Sequence, residues 1–512
     1  MAHFKAVMKN WGGVLIAIVL LAIYVLYWWL YCPRLMTAVF LFLAVPLLII
    51  TILSSFGKLK MGSNGLYLSL LLTLGLFFCF VFPPMKVPDE PFHYLSTQWI
   101  VNLITGRGTA SSGTLLRGDE WLLYSKFNSS RLSSGDYATV AKDFTFLCTD
   151  TSSRLVGQSF DLNAVNPSAK IFTILGLLIA KCLNLGAYPS FYLGRLFSLG
   201  FFVASAYGAY MIAPKGKAII AYVSLLPMSL HLAASYSYDC GIIAYSLLIF
   251  AFLMRGFFGE EGGIGIKAVC IYCLVAALLA PCKVIYSCLC LLGLFIPSSK
   301  FSNQRFARLS KVALLAAVSL AVVLIRLASV MELAAGSDSS DRGEESGHMY
   351  TIAGIIRHPV QSFRMLVRTL DSLGDFYWES TLGYCLGWLQ GEISMPAFFM
   401  IPYLAMGAIC CFEDEYDSAS LPRYAAVCFV GAFVLIVLAA MLSMWIGWTY
   451  DTEAIIQGVQ GRYFLPALPA LLIALRDHKF SFRGNALQFV ICGMGVMNFL
   501  YVIRLFCIAA SL

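Results

Sequence analysis

Of the 512 residues, 60% are apolar and only 12% charged, too little polar surface to clothe a soluble globule of this length, so the chain reads as an all-α polytopic membrane protein. The formal net charge of +8 comes from lysines and arginines scattered between apolar runs; these orient spans in a bilayer and give no nucleic-acid-binding face. Sixteen cysteines fall almost entirely inside apolar runs, and the CxxC of Cys270 and Cys273 has no second pair or nearby histidines, so neither a disulfide framework nor a metal site is expected from them.

Trp11 to Tyr31 is too long for a signal peptide and lacks a small-residue cleavage site, so it is expected to remain as a span. With Leu35 to Phe56 it forms a hairpin, residues 1–60, ahead of a core over 61–480 and a last span within 481–512. Lys58 and Lys60 place the following turn, and with it the N-terminus, in the cytoplasm. Leu66 to Pro84 then runs outward and ends in Pro88-Asp89-Glu90-Pro91-Phe92-His93. Pro83, Pro84, Pro88 and Pro91 stop the helix and stiffen the corner, fixing two acids and an imidazole at the extracytoplasmic surface.

A polar external loop follows over about 86–189, with Ile171 to Leu185 as an interfacial or re-entrant helix, because it is short and broken by Lys181. Phe191 to Ile212 returns to cytoplasmic Lys215 and Lys217, and Ala218 to Ala234 runs back out, so Asp239 emerges on the side of Asp89. Gly241 to Phe258 goes in, and Val269 to Ala280 leads out to Pro281-Cys282-Lys283. Val284 to Ile296 goes in again, to a short basic loop of Lys300, Arg305, Arg308 and Lys311. Leu314 to Val330 opens a second external segment to residue 395, in which Arg357, Arg364 and Arg368 repeat at helical spacing on an amphipathic stretch, Ile355 to Leu370. Pro396 to Cys411, Tyr424 to Trp445, Tyr463 to Leu475 and Leu487 to Ile508 bring the total to about 13 spans of roughly bilayer length.

Under this topology Asp89, Glu90, His93, Arg195, Asp239, Lys283 and Arg462 share one leaflet, where ionisable groups near hydrocarbon usually mark a pathway or a site. Each has a plainer reading: Arg195 can snorkel, Asp239 can cap the helix from Cys240, and Lys283 can anchor an interface. His231, alone in an apolar span, reads as a packed, hydrogen-bonded side chain. Mixed acids and bases suit a lipid-linked phosphate, the cations gripping phosphate oxygens while a carboxylate takes a proton from an acceptor hydroxyl. Gln460-Gly461-Arg462-Tyr463 carries suitable groups, glycine for close backbone approach to an anion and arginine and tyrosine as donors, and it also fits a loop-to-span junction.

Pro88-Asp89-Glu90 with His93, Gly194-Arg195-Leu196, Ser235-Tyr236-Ser237-Tyr238-Asp239, Lys283 with Tyr286, Leu386-Gly387-Trp388 and Gly458-Val459-Gln460-Gly461-Arg462-Tyr463-Phe464-Leu465-Pro466 together resemble the bacterial domain of unknown function 2142 family, from about Phe82 to Leu475. That family in turn looks like the GT-C glycosyltransferases. The resemblance implies a bacterial inner-membrane enzyme with an extracytoplasmic site, a polyprenyl-phosphate sugar donor and a glycan or lipid-linked acceptor. It makes Asp89 the general base, with Glu90, His93 and Asp239 supporting it or holding a divalent cation, Mg or Mn. It gives Arg195, Lys283, Tyr286, Gln460, Arg462 and Tyr463 to the donor phosphate. The two acids are adjacent here rather than spaced as Asp-X-Asp, which leaves the cation open. The alternatives are a flippase for lipid-linked saccharides, which calls for mid-span charges and an internal repeat, and an oligosaccharide polymerase or ligase, which the Arg357, Arg364 and Arg368 stretch also suits. A lipid donor further requires an apolar groove beside the site.

Overall fold

The computed structural model describes residues 63–511 apart from 109–112, 129–131, 149–154, 161–164, 166, 336–347, 389–392 and 419. The expected spans Trp11 to Tyr31 and Leu35 to Phe56 lie outside the described residues. Ser63–Val81 (α1) is an uninterrupted apolar helix that ends where Pro83 and Pro84 remove the next backbone donors. The stretch read as a polar external loop, about 86–189, contains Glu90–Thr105 (α2), then Gly113–Arg117 (β1) paired antiparallel with Leu155–Ser159 (β2), and between these strands Gly118–Phe127 (α3) and Ser134–Asp143 (α4).

Ile171–Cys182 (α5) packs along Ala187–Ile212 (α6), where Gly176 and Gly194 let the two backbones touch: a Cβ on Gly176 would lie 2.9 Å from the Cα of Gly194. The span expected over Ala218 to Ala234 is instead two helices, Lys217–Leu225 (α7) and Pro227–Ala233 (α8). Pro227 has no N–H for the Val223 carbonyl, which instead accepts the Ser229 hydroxyl at 2.6 Å, and Leu225 O accepts Asn498 Nδ2 at 2.8 Å. A broken helix survives at membrane depth when buried side chains take up the freed carbonyls in this way.

Asp239–Phe258 (α9) and Ile266–Leu279 (α10) follow, and Val284 to Ile296 is a string of short turns around Ser287–Leu291 (α11) rather than one helix. Gln304–Ala335 (α12) already includes Arg305, Arg308 and Lys311, so the expected basic loop is mostly the first turns of a helix. The amphipathic stretch is also divided: Ile352–Arg357 (α13) stops at His358, and Pro359–Leu382 (α14) begins at the proline that ends it. Met400–Cys410 (α15), Phe412–Glu413 (β3), Arg423–Trp448 (α16), Leu468–Ala474 (α17), Asp477–Ser481 (β4) and Ala486–Ser511 (α18) complete the chain, with β3 and β4 paired in parallel. α18 packs against α1, α7 and α15, which ties the end of the chain into the core.

Five helices among the described residues are long and apolar enough to cross a membrane: Ser63–Val81, Ala187–Ile212, Asp239–Phe258, Gln304–Leu327 and Arg423–Trp448. The other apolar segments, such as Ile266–Leu279 and Ala397–Cys410, are shorter.

Candidate active site

The proline-rich corner is held by one arginine. Arg195 on α6 donates through Nε and Nη2 to both oxygens of Glu90, at 2.8 and 2.6 Å. Its remaining donors reach the carbonyls of Cys79, Phe82 and Pro83 at 3.0, 2.6 and 3.1 Å, groups that the end of α1 leaves without helical partners. Both side chains of the pair are 0% exposed. Glu90 also accepts the Tyr236 backbone N–H at 3.2 Å. Glycine precedes Arg195 because Tyr236 crosses there: a Cβ on Gly194 would fall 2.0 Å from the tyrosine hydroxyl oxygen. Further braces are Trp388 Nε1 donating to Met85 O at 3.2 Å and the Tyr137 hydroxyl donating to Val81 O at 2.8 Å. Glu90 and Arg195, expected respectively in a catalytic and a phosphate-binding role, are therefore enclosed and bonded to each other.

Asp89 faces the other way. It has φ 59°, a left-handed conformation that aspartate tolerates better than most residues, and its side chain is 48% exposed. Arg462 Nη2 lies 2.5 Å from Asp89 Oδ2, and its Nη1 lies 3.4 Å from Asp239 Oδ2. Lys283 Nζ is 3.4 Å from the other Asp239 oxygen, 3.8 Å from the ring centre of Tyr463 and 5.0 Å from that of Tyr238. Four distant stretches thus meet in a chain of alternating charge. Asp239 stands in the first turn of α9, where the helix dipole favours a carboxylate. Lys283 occupies the break after α10, and Arg462 sits on the short turn Gly461–Tyr463.

That turn is seated on α14. Gly461 N–H donates to Ser380 Oγ at 3.0 Å, and Thr381 Oγ1 donates to Gly461 O at 2.9 Å. A Cβ on Gly461 would be 2.1 Å from Tyr377 O, so this glycine is needed for close approach to α14. Tyr286, expected among the phosphate ligands, is buried and donates its hydroxyl to Tyr463 O at 3.0 Å, bracing the same turn. Arg462 Nε and Gln460 Oε1 are buried without hydrogen-bond partners among the described residues. A buried guanidinium with donors to spare is poised for an anion.

His93 is 1% exposed, with neither ring nitrogen hydrogen-bonded among the described residues, and its ring stands edge-on to Tyr238 at 4.6 Å. Burial, then the charges of Lys170, Arg462 and Lys283, hold its pKa well below the ordinary 6.5, so the imidazole is neutral. Lys170 was missed by the sequence reading. It is 1% exposed, donates to Ser96 Oγ and, at 3.3 Å, to His93 O, and lies 5.1 Å from the Phe92 ring centre; burial lowers its pKa. Its signal was a lysine immediately before the apolar run of α5.

No group of three or more His, Cys, Asp or Glu side chains among the described residues is arranged to hold a metal ion. Within the set Asp89, Glu90, His93 and Asp239, the Glu90 oxygens are taken by Arg195, and Asp89 and Asp239 face Arg462 and Lys283. Those donors do not form a chelate for Mg or Mn.

The profile of a family described as predicted membrane protein (DUF2142) matches residues 72–471. Searches among curated proteins and among solved structures returned no match.

Proposed function

The chain belongs to the DUF2142 family of predicted membrane proteins, and from that premise and the geometry of the corner we propose that it is an integral membrane glycosyltransferase of GT-C type. In this reading about 13 spans of bilayer length embed it in a bacterial inner membrane with the N-terminus cytoplasmic. The Asp89 corner faces the extracytoplasmic side. The donor is a polyprenyl-phosphate sugar, and the acceptor a glycan or lipid-linked saccharide. The observation that carries the reading is the pairing of half-exposed Asp89 with a buried arginine whose Nε has no partner among the described residues.

Donor phosphate entering beside Arg462 competes with Asp89 for the guanidinium, and Lys283 supplies a second cation. Released from Arg462, the Asp89 carboxylate takes the proton of the acceptor hydroxyl. The hydroxyl oxygen forms a bond to the anomeric carbon as the bond from that carbon to the phosphate oxygen breaks. The electron pair leaves with the lipid phosphate, whose growing charge Arg462 and Lys283 stabilise. Gln460 Oε1, without a partner among the described residues, is an acceptor for a sugar hydroxyl. Neutral His93 backs Tyr238, the ring beneath Lys283. Tyr463 and Tyr286 keep Arg462 in place, and no step passes through a metal.

The lipid part of such a donor needs an apolar channel, and one supports the reading. A cavity of about 650 Å³ runs beside the Arg462 turn, lined by Tyr377, Thr381, Leu404, Phe433, Phe464 and Leu472 among others. It shares Tyr377 and Thr381 with the seat of Gly461.

Purified protein in detergent, given synthetic polyprenyl-phosphate sugars and a glycan acceptor, is expected to transfer sugar. Arg462→Ala is expected to lose most of that transfer, and a chelator to leave it unchanged. Absence of transfer together with movement of lipid-linked saccharide across proteoliposomes would replace this reading with a flippase.

A further inference from the structure

The N-terminal half of α14 borders a second cavity, of about 260 Å³, walled by Tyr350, Gln361, Arg364, Arg368, Trp445 and Glu453 among others. Arg364 and Arg368 are one helical turn apart and exposed, with no ion pair among the described residues. Facing them is an aromatic wall: Trp445, 6% exposed, meets the Tyr350 ring edge-on at 5.9 Å. The Trp445 indole N–H is buried with no acceptor among the described residues. The Tyr350 hydroxyl is occupied by the carbonyls of Asp451 and Glu453, at 3.4 Å each, and the Glu453 carboxylate accepts from Gln457 Nε2 at 3.3 Å.

Two guanidinium groups that no carboxylate pairs with among the described residues bind an anion. A bare phosphate or a lipid headgroup phosphate uses only those two groups and leaves Glu453, Gln361 and the rings idle. A sugar residue bearing an acidic group uses all of them: hydroxyls donate to Glu453 and Gln361, the C–H face of the ring packs on the aromatic wall, and the acid meets the arginines. Position along α14 adds a constraint. Arg368 and Thr381 are 13 residues apart (381 − 368), about 20 Å along the axis, and Thr381 holds the turn that carries Arg462. The cavity therefore lies several sugar units from the Asp89 cluster.

We propose that this cavity holds an acidic sugar residue, uronate- or phosphate-bearing, of an oligosaccharide acceptor; the inference rests on the glycosyl-transfer reading. The test measures binding of tetragalacturonate and of neutral maltotetraose to the protein in phosphatidylcholine nanodiscs, with inorganic phosphate as a competitor. Wild type is expected to prefer the acidic oligosaccharide by about tenfold or more, as for a lost charge-assisted hydrogen bond. The double variant Arg364→Gln, Arg368→Gln, altered only at exposed positions, is expected to lose that preference while eluting as wild type. Equal affinity for the two oligosaccharides, a preference that survives the double variant, or displacement by phosphate as effective as by tetragalacturonate would overturn the proposal. So would a double variant whose only change, in a second set of nanodiscs carrying phosphatidylglycerol, is weaker retention of that lipid. Transfer is assayed on the same preparation. Transfer without discrimination removes the cavity's role and leaves the reaction, whereas discrimination without transfer does the reverse.

Discussion

Adjacent acids in this chain have opposite assignments, and Glu90→Gln separates them. The substitution keeps the shape of the side chain and removes its charge, leaving Arg195 as an uncompensated cation at 0% exposure. Breaking one partner of such a buried pair costs about 3–5 kcal/mol. An amide nitrogen must also replace one of the two carboxylate oxygens that now accept from Arg195 at 2.6 and 2.8 Å, placing donor against donor. Because the same guanidinium holds Cys79, Phe82 and Pro83, the corner itself loosens. The apparent melting temperature in detergent, read as loss of the monodisperse elution peak on heating, is expected to fall by about 5 °C or more. Asp89→Asn, at a side chain 48% exposed, is expected to change stability by less than about 1 kcal/mol. An unchanged melting temperature in Glu90→Gln together with lost transfer would show that Glu90 acts in the chemistry and refute the clamp.

Arg462→Lys keeps the charge but cannot span Asp89 and Asp239 at once, so transfer is expected to fall at least about tenfold; wild-type rates would show that a point charge suffices. Gly374 lines the apolar cavity, and a Cβ there meets nothing within 4 Å. Gly374→Leu should therefore fold as well as wild type yet transfer poorly from long polyprenyl donors and normally from short-chain ones; equal loss with both would place the lipid elsewhere. His93, held neutral by burial and by Lys170, Arg462 and Lys283, has a folded pKa below its unfolded one. The unfolded chain therefore takes up the proton first, and this contribution to stability is complete above about pH 6.5 and lost as pH falls toward the folded pKa. His93→Gln should flatten the decline in melting temperature between pH 7.5 and 5, and an unchanged slope would assign the decline to other groups.

The family was legible from its motifs, and the spans with long unbroken apolar runs, such as Leu66 to Pro84 and Gly241 to Phe258, were legible from hydropathy alone. Breaks inside apolar stretches were not. Pro227 could have signalled that Ala218 to Ala234 divides, but the rescue of its orphan carbonyls by Ser229 and Asn498 depends on tertiary contacts no local pattern encodes. Arg195 and Glu90, and Arg462 and Asp89, are partners 105 and 373 residues apart. Sequence could single these residues out as one set but could not decide which cation pairs with which acid. That choice gives Glu90 to the scaffold and leaves Asp89 facing out. Glycine was ambiguous for the same reason, since Gly461 fits either an anion or a neighbouring helix until Tyr377 and Thr381 are in place.

The most direct measurement is single-turnover sugar transfer by Asp89→Asn with the polyprenyl-phosphate donor already bound. The account predicts that donor binding and melting temperature stay near those of wild type while the transfer rate drops by roughly 10²–10⁴, the usual worth of a positioned general base. Transfer at the wild-type rate in that variant would contradict it.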